Sequence, residues 1–458
     1  MSKSASRKDR AIWRCRNMLR LPRAGRLCLA AVAMVIIAPF PMSGAGAETL
    51  QQALEASYRN NPDINAERSR LRAVKQDVKQ AVAGLQPTVS LFGNVGYERS
   101  STRSPTTSTR GAERGAGLRV TQSLFEGFRT VNQIRRAETN VEAGKSYLVN
   151  KQQLVLLDVV SAYAAVMRDR ALLDLQQKYV VNLGKQVAAA RAKMRAGAAT
   201  LTDVAQAETR QNLAQADAAQ AQADLDASAA AYRSLVGFAP GTLTMPVAPR
   251  HLLPNSFDQA LFVAQRENPI VRATSLEVDA AQYDVNRAVG EMLPTVNVEF
   301  TLERTFDDRN AATAIGREDN ASVMLRANVP LYQGGAVVSR IQQTREVKGQ
   351  RQFEADQISN EVRAQLMSSW SQALAAGKRL SASRRQMTTA EAALKGVRIE
   401  ADAGQRSVLD VLDAERELLL AQINYKRAQH DELVAVYRVV AALGRLTPDR
   451  LGLRVAAN

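Results

Sequence analysis

The sequence predicts a mixed α and β membrane protein, in which long α-helical hairpins carry a small set of amphipathic strands. Three observations predict it. The chain is internally duplicated at a constant offset. Each half holds proline-free helical tracts far longer than an ordinary globular helix. Each half also holds segments of strict apolar–polar alternation. At 458 residues with 5% aromatics, the chain has the length of several domains but little of the aromatic bulk of a large globular core.

The N-terminus reads as an export signal over residues 1–47. Nine Lys and Arg between Lys3 and Arg26 precede the apolar run Leu27–Phe40, and Ala45-x-Ala47 offers a cleavage site before Glu48. The run is shorter than the roughly 20 residues a spanning helix needs. Met18 provides a second start for this long basic region. Removing 1–47 takes both cysteines, Cys15 and Cys28, and lowers the net charge from +16 to +8, because the segment holds nine bases and one acid, Asp9. The mature chain then has no thiol chemistry. Its remaining basicity is spread along helices without interleaved aromatics, which argues against nucleic acid as a partner.

The duplication is read at an offset of 207 residues, from Pro62 to Pro269. Gln52-Ala53-Leu54 recurs as Gln259-Ala260-Leu261, and Pro87-Thr88-Val89 as Pro294-Thr295-Val296. The "LFEG" ending at Gly127 recurs as the "LYQGG" that holds Gly334 and Gly335. Gly197 matches Gly404, Asp203 matches Asp410, and Gly237 matches Gly444. So many matches in one register indicate a structural repeat. The expected organisation is a first repeat over 48–237, a Pro/Gly-rich linker over 238–255, a second repeat over 256–444 and a tail over 445–458.

Within each repeat, two helices broken at Asn61-Pro62 or Asn268-Pro269 lead to a strand. In the second repeat Val296, Val298, Phe300 and Leu302 alternate with Asn297, Glu299, Thr301 and Glu303. Val89, Leu91, Gly93 and Val95 form the matching face in the first. Partner strands follow, with Leu118 and Val120 against Arg119 and Thr121, and Val323 and Leu325 against Arg326 and Asn328. The polar stretches 99–114 and 304–319 are expected as long loops. A proline-free tract from Arg129 to Met194 predicts a helix about 100 Å long. A second tract runs from Leu201 to Val236. The second repeat reads the same way, and abundant alanine suits close helix approach.

Alternating strands of about ten residues are the mark of a membrane barrel. Four strands cannot close one, and open edges in lipid leave backbone groups unsatisfied. Several chains must therefore share a barrel. Two would give about eight strands and a filled interior, and three would give about twelve and a passage.

The duplicated layout, the "LFEG" and "LYQGG" turns, the Asn-Pro break and the run "GQRSVLDVLDA" (Gly404–Ala414) together resemble the TolC-type outer-membrane channel family. The resemblance spans Glu48 to about Gly444. It implies a homotrimer with four strands per chain in a shared twelve-stranded transmembrane β-barrel in outer-membrane lipid. The long helical hairpins would form a periplasmic α-barrel. It also implies a Gram-negative outer-membrane location, a periplasmic adapter and an inner-membrane ABC or proton-driven pump as partners, and a passive duct for multidrug efflux or type I protein secretion. It implies no cofactor and no enzymatic step. The residues agree on the last point: His251 and His430 are the only histidines, and no metal spacing or nucleophile motif stands out.

At the start of the last long tract, Asp410 and Asp413 lie three apart on one helical face. Ser407-x-x-Asp410 and Thr200-x-x-Asp203 are capping boxes, which account for Asp410 and Asp203 as ordinary caps. Asp413 has no such account, and its repeat counterpart is Gln206. The resemblance implies that Asp410 and Asp413 form acidic rings at a periplasmic gate, where crowding is expected to raise their pKa values. It further implies a closed-state lock in which Arg406 meets Thr202 and Asp203, with Gln186 nearby. Ala401 departs from the family, which has a tyrosine there. Gly197-Ala198 and Gly404-Gln405 would be adapter-docking tips, and Gly127, Gly334 and Gly335 strand-to-helix turns. A competing reading is a non-conducting periplasmic coiled-coil adapter or scaffold, which predicts no lipid-facing strands.

Overall fold

The computed structural model describes residues 48–103, 106–307 and 316–454. The expected signal peptide, Cys15 and Cys28 with it, and the end of the tail lie outside these residues. Two short helices come first, α1 (Leu50–Asn60) and α2 (Pro62–Ala83). Strands β1 (Thr88–Arg103) and β2 (Thr106–Glu126) follow, then the long pair α3 (Arg129–Arg195) and α4 (Leu201–Val236). After a connector containing one 3-10 turn, the second repeat gives α5 (Phe257–Glu267), α6 (Pro269–Gly290), β3 (Thr295–Asp307), β4 (Gly316–Asn328), α7 (Ala336–Asp402) and α8 (Val408–Ala442). The sequence offset persists in the elements: α3 and α7 are each 67 residues long, and each starts and ends 207 residues from its counterpart.

The Asn-Pro break has a physical cause that repeats. Asn61 ends α1 and starts α2, its side chain accepting from the N–H groups of Asp63 and Ile64, while Pro62 fills the first helical position, where no N–H is needed. The same side chain donates to the carbonyl of Leu235 at the end of α4 (3.4 Å). In the second repeat Asn268 donates to Ala442 at the end of α8 (2.9 Å). One buried amide thus starts a helix and anchors it to the returning long helix.

The main core lies around the middle of α3. Val159, Val160, Tyr163 and Val166 pack there with Leu54 of α1, Tyr232 of α4 and Leu433 and Val440 of α8. The second repeat forms a smaller counterpart from Ala260, Ala264, Leu366, Val439 and Leu443. Coverage of the two long helices differs. α3 buries 18 residues and α7 only 8, so α7 keeps an uncovered flank that includes Phe353, Met367 and Leu374. α3 packs against both α2 and α6, and also against α8. α7 packs on α6, α8 and α5 but has no comparable packing on α2 or α4.

The strands form one antiparallel sheet in the order β1-β2-β3-β4, with β1 and β4 at its edges. The register aligns apolar rows across it: Val89–Val120–Phe300–Val323 and Leu91–Leu118–Leu302–Ala321. With Val296 and Val298 below, these rows run about 20 Å along the strand at roughly 3.4 Å per residue. They end where Arg304 pairs with Asp319 (2.5 Å). None of the residues in these rows is buried, and Leu91 is 82% exposed in one chain. On the other face Arg119 pairs with Glu299 (2.9 Å) and lies over the Phe92 ring. No helix among the described residues is long and apolar enough to cross a membrane.

The two expected loops are shorter than the sequence suggested. Most of 99–114 is strand, paired from Arg99↔Arg110 to Arg103↔Thr106, and β3 and β4 extend to Asp307 and from Gly316. Polarity misled the reading here. A spanning strand needs only about 9–11 residues, whereas β2 has 21. Beyond the apolar band, ladder hydrogen bonds keep the hairpin regular without any need for alternation.

Candidate functional site

The two long hairpins turn at equivalent tips. Gly197 and Gly404 adopt φ of +72° and +78°, the left-handed region that glycine enters without penalty. Around them the N–H groups of Ala198 and Gln405 reach back to the carbonyls of Lys193 and Glu400, both at 2.8 Å. This closes the ends of α3 and α7 in the Schellman manner. A Cβ on either glycine would meet nothing within 4 Å. The glycines serve the turn itself, and Gly197, Ala198, Gly404 and Gln405 are all exposed.

Each following helix opens with a capping box. Ser407 and Asp410 exchange hydrogen bonds, the Ser407 hydroxyl and N–H donating to the Asp410 carboxylate at 2.8 and 2.9 Å. Thr200 and Asp203 do the same at 2.8 and 2.9 Å. These bonds favour the ionised form and hold both carboxyls below the usual range. The rise expected for some of the gate carboxylates concerns acids crowded around a shared axis, whereas the lowering of Asp410 belongs to the cap within one chain. For Asp410 the Ser407 bonds act first, and the Arg406 charge acts in the same direction against partial desolvation.

Asp413 is not a free carboxylate. It forms an ion pair with Arg210 of α4 (2.8 Å), a residue the sequence reading passed over. At nearly the same level, each hairpin carries a matching tie between its own helices. Arg191 bonds Glu208 (2.7 Å) in the first repeat and Arg398 bonds Glu415 (2.6 Å) in the second. These four residues stand exactly one repeat offset apart, so the duplication itself held the sign of the pair. Glu415 is buried, and its second oxygen has no partner, nor has Nη1 of Arg210. Beneath them Leu412 of α8 packs among Leu183, Val187, Ala207 and Ala214, joining the second hairpin to both helices of the first.

Of the expected lock residues, Arg406 binds Glu400 on its own hairpin (2.9 Å), and a single chain does not bring it to Thr202 or Asp203. Gln186 lies half-buried on α3 beside Val187. Ala401 has no hydrogen-bonding side chain, and its carbonyl accepts from Gly404.

At the far end of the long helices, Gly127, Gly334 and Gly335 form the strand-to-helix turns with φ of +62°, +60° and +83°. Phe128 occupies the position equivalent to Gly335 and also has a positive φ, +60°. Its ring packs edge-on to Phe125 (5.1 Å between centroids). Gly127 meets a glycine the sequence did not single out. A Cβ on Gly290 would sit 2.3 Å from the Gly127 carbonyl, and a Cβ on Gly127 would sit 2.3 Å from that of Gly290. The equivalent space beside Gly334 is empty in one chain.

The model of the outer membrane efflux protein family matches residues 50–238 and 261–445, most of both repeats. The chain is 37% identical to outer membrane efflux protein BepC of Brucella suis biovar 1 over 426 residues, which covers 93% of this chain and 92% of that one. It is 24% identical to outer membrane protein TolC of Vibrio cholerae, covering 90% and 96%. Among solved structures, the outer membrane protein VceC from Vibrio cholerae superposes with a TM-score of 0.72 at 18% identity, covering 86% of this chain and 96% of that chain.

Proposed function

The chain belongs to the outer membrane efflux protein family, and from that premise we propose that three copies assemble one passive exit duct, gated at its helical tip. The observation that carries this reading is the mismatch between the two junctions of the repeat. Within a chain, α3 of the first repeat is flanked by α6 and α8 of the second. The same flank of α7 is bare, Gly334 has empty space where Gly127 meets Gly290, and the sheet edges β1 and β4 are open. A neighbouring copy offering its α2, α4 and β1 to α7 and β4 repeats the internal junction between chains. Repetition of one heterologous junction closes a ring when the rotation allows. Three copies give twelve strands, enough for an open lumen, where two would give a filled barrel.

In this reading the unburied apolar rows face outer-membrane lipid and the Arg119–Glu299 face lines water. Residues 1–47 are the export signal, 48–237 and 256–444 the repeats, 238–255 the linker and 445–458 the tail. The tips at Gly197-Ala198 and Gly404-Gln405 dock a periplasmic adapter, which joins the duct to an ABC or proton-driven inner-membrane pump. Asp410 supplies an acidic ring at the gate. In the closed ring Arg406 turns from Glu400 to Thr202 and Asp203 of the adjacent copy, with Gln186 beside them. The duct carries drugs or secreted proteins and performs no chemistry. A non-conducting adapter is disfavoured by the unburied apolar rows, which have no role in the periplasm. Detergent-extracted outer membranes should yield heat-modifiable trimers that conduct in planar bilayers. A soluble monomer recovered from the periplasm would overturn the proposal.

A further inference from the structure

We infer that Arg210 sets the ion selectivity of the tip by taking Asp413 out of the acidic gate. The inference rests on reading the tip as the gate. Asp410 and Asp413 share a helical face, and two unpaired acids per chain would place six carboxylates around the axis. Arg210 changes that count. Its guanidinium lies 2.8 Å from the Asp413 carboxylate and is the more enclosed partner, with side-chain exposures of 25% and 59%. A positive group so placed requires a counter-charge. Tyr179 of α3 feels the charge of Arg210 together with those of Glu415, Arg416 and Asp413 of α8, so these groups share one neighbourhood. Glu415 is already held by Arg398, which leaves Asp413 as the partner of Arg210. The hydroxyl and amide that Asp410 accepts from Ser407 are neutral, and Arg406, which acts on Asp410 only at longer range, is paired with Glu400, so Asp410 stands outside any ion pair. Of the two gate acids, each chain then offers one carboxylate outside an ion pair to the lumen, not two.

The repeat supports the same assignment. At the equivalent positions of the opposite junction stand Glu417, in place of Arg210, and Gln206, in place of Asp413. The neutralising pair therefore exists only where α4 and α8 of one chain meet, and the junction between chains has no counterpart to it. Arg210 thus ties the two hairpins of a chain together while it discharges the second acidic ring.

The test compares reversal potentials of wild-type and Arg210→Gln trimers in planar bilayers across a KCl gradient near 0.1 M, with Mg²⁺ as the blocking cation. Freeing three carboxylates should raise the cation-to-anion permeability ratio about fivefold, as expected for unit charges about 10 Å from the axis at a screening length of about 10 Å. Mg²⁺ should then block at lower concentration, and Arg210→Gln with Asp413→Asn should restore wild-type selectivity. Arg210→Met carries the same expectation where the Gln variant fails to assemble. An increase that persists in the double variant would overturn the assignment, because the effect would not run through Asp413. Asp410→Asn separates the remaining failures. Cation preference lost in Asp410→Asn but unchanged in Arg210→Gln overturns the role of Arg210 alone. No change in either overturns it together with the gate.

Discussion

Leu412→Ala measures what holds the tip shut. Leu412 is 2% exposed and packs against Leu183 and Val187 of α3 and Ala207 and Ala214 of α4. Truncation removes a buried side chain that bridges the two hairpins. Two of its four buried neighbours are alanines, which have no longer side chain to swing into the gap, so the cavity stays largely open. A cost of about 3 kcal/mol per chain follows from buried Leu→Ala changes. The polar contact at the same tip is weaker. Arg406 and Glu400 are each about half exposed, and such a pair contributes roughly 0–1 kcal/mol. Packing should therefore dominate the ion pair. If the closed arrangement alone uses this packing, about 3 kcal/mol shifts the closed-to-open ratio by about a hundredfold. Trimers of Leu412→Ala should show raised resting conductance in planar bilayers, and cells carrying them should become sensitive to large antibiotics. Arg406→Ala should do so to a smaller degree. Wild-type resting conductance in an intact Leu412→Ala trimer, beside a leaky Arg406→Ala, would refute the ranking.

Other perturbations address the remaining parts. Gly404→Trp should leave trimers in the outer membrane yet abolish export and adapter crosslinking, since the glycine has open space around it and a positive φ that tryptophan disfavours; normal adapter crosslinking would remove the tip as docking site. Gly290→Val should prevent heat-stable trimers, because its Cβ would overlap the Gly127 carbonyl at the base of the sheet; wild-type trimer yield on gels would contradict this. Glu267 receives hydrogen bonds from Arg445 (2.9 and 3.0 Å) and Arg450 (2.8 Å). The Arg445 bond chiefly holds its carboxyl below the usual range, against partial desolvation. A depressed folded value stabilises fully above the unfolded pKa of about 4.3 and is lost as pH falls through the folded value. Proteolytic release of the segment after Gly444 should therefore rise only in that acid window, and Glu267→Gln should release it at neutral pH; equal release at all pH values would count against the clamp.

Much of this was legible in the sequence because its determinants are local. Proline-free length predicted α3 and α7, and Thr200 and Ser407 marked the starts of their partners to the residue. The Asn-Pro pair gave the helix break, and the offset of 207 gave the repeat. What stayed hidden depends on proximity between distant segments. Arg210 and Asp413 stand on different helices, and nothing in their neighbours' identities pairs them. Gly290 and Gly127 meet across 163 residues of sequence (290 − 127). Phe128 carries a backbone conformation that its residue type would not suggest. The strand ends were misplaced for another reason: outside the apolar band the ladder is maintained by backbone hydrogen bonds, which leave no periodic trace in side-chain polarity. The lock at Arg406 was expected with Thr202 and Asp203 on the turn of the other repeat, and a single chain shows the arginine with Glu400 instead.

In the proposed trimer, one sheet of four strands is a third of a closed barrel. This is tested by joining β4 of one copy to β1 of the next. Once residues 1–47 are removed, the chain has no cysteine, so introduced thiols report cleanly. Cysteines placed in turn at Val89, Leu91 and Val95 on β1 would be combined with one at Leu325 on β4, then oxidised in whole outer membranes. Within a chain β1 and β4 are separated by two strands, about 14 Å at roughly 4.8 Å per strand step, beyond disulfide reach. Any disulfide must then join copies. At least one pair should yield covalent dimers and trimers on denaturing gels and nothing larger. Monomers alone from every pair, or a ladder that continues past three, would contradict it.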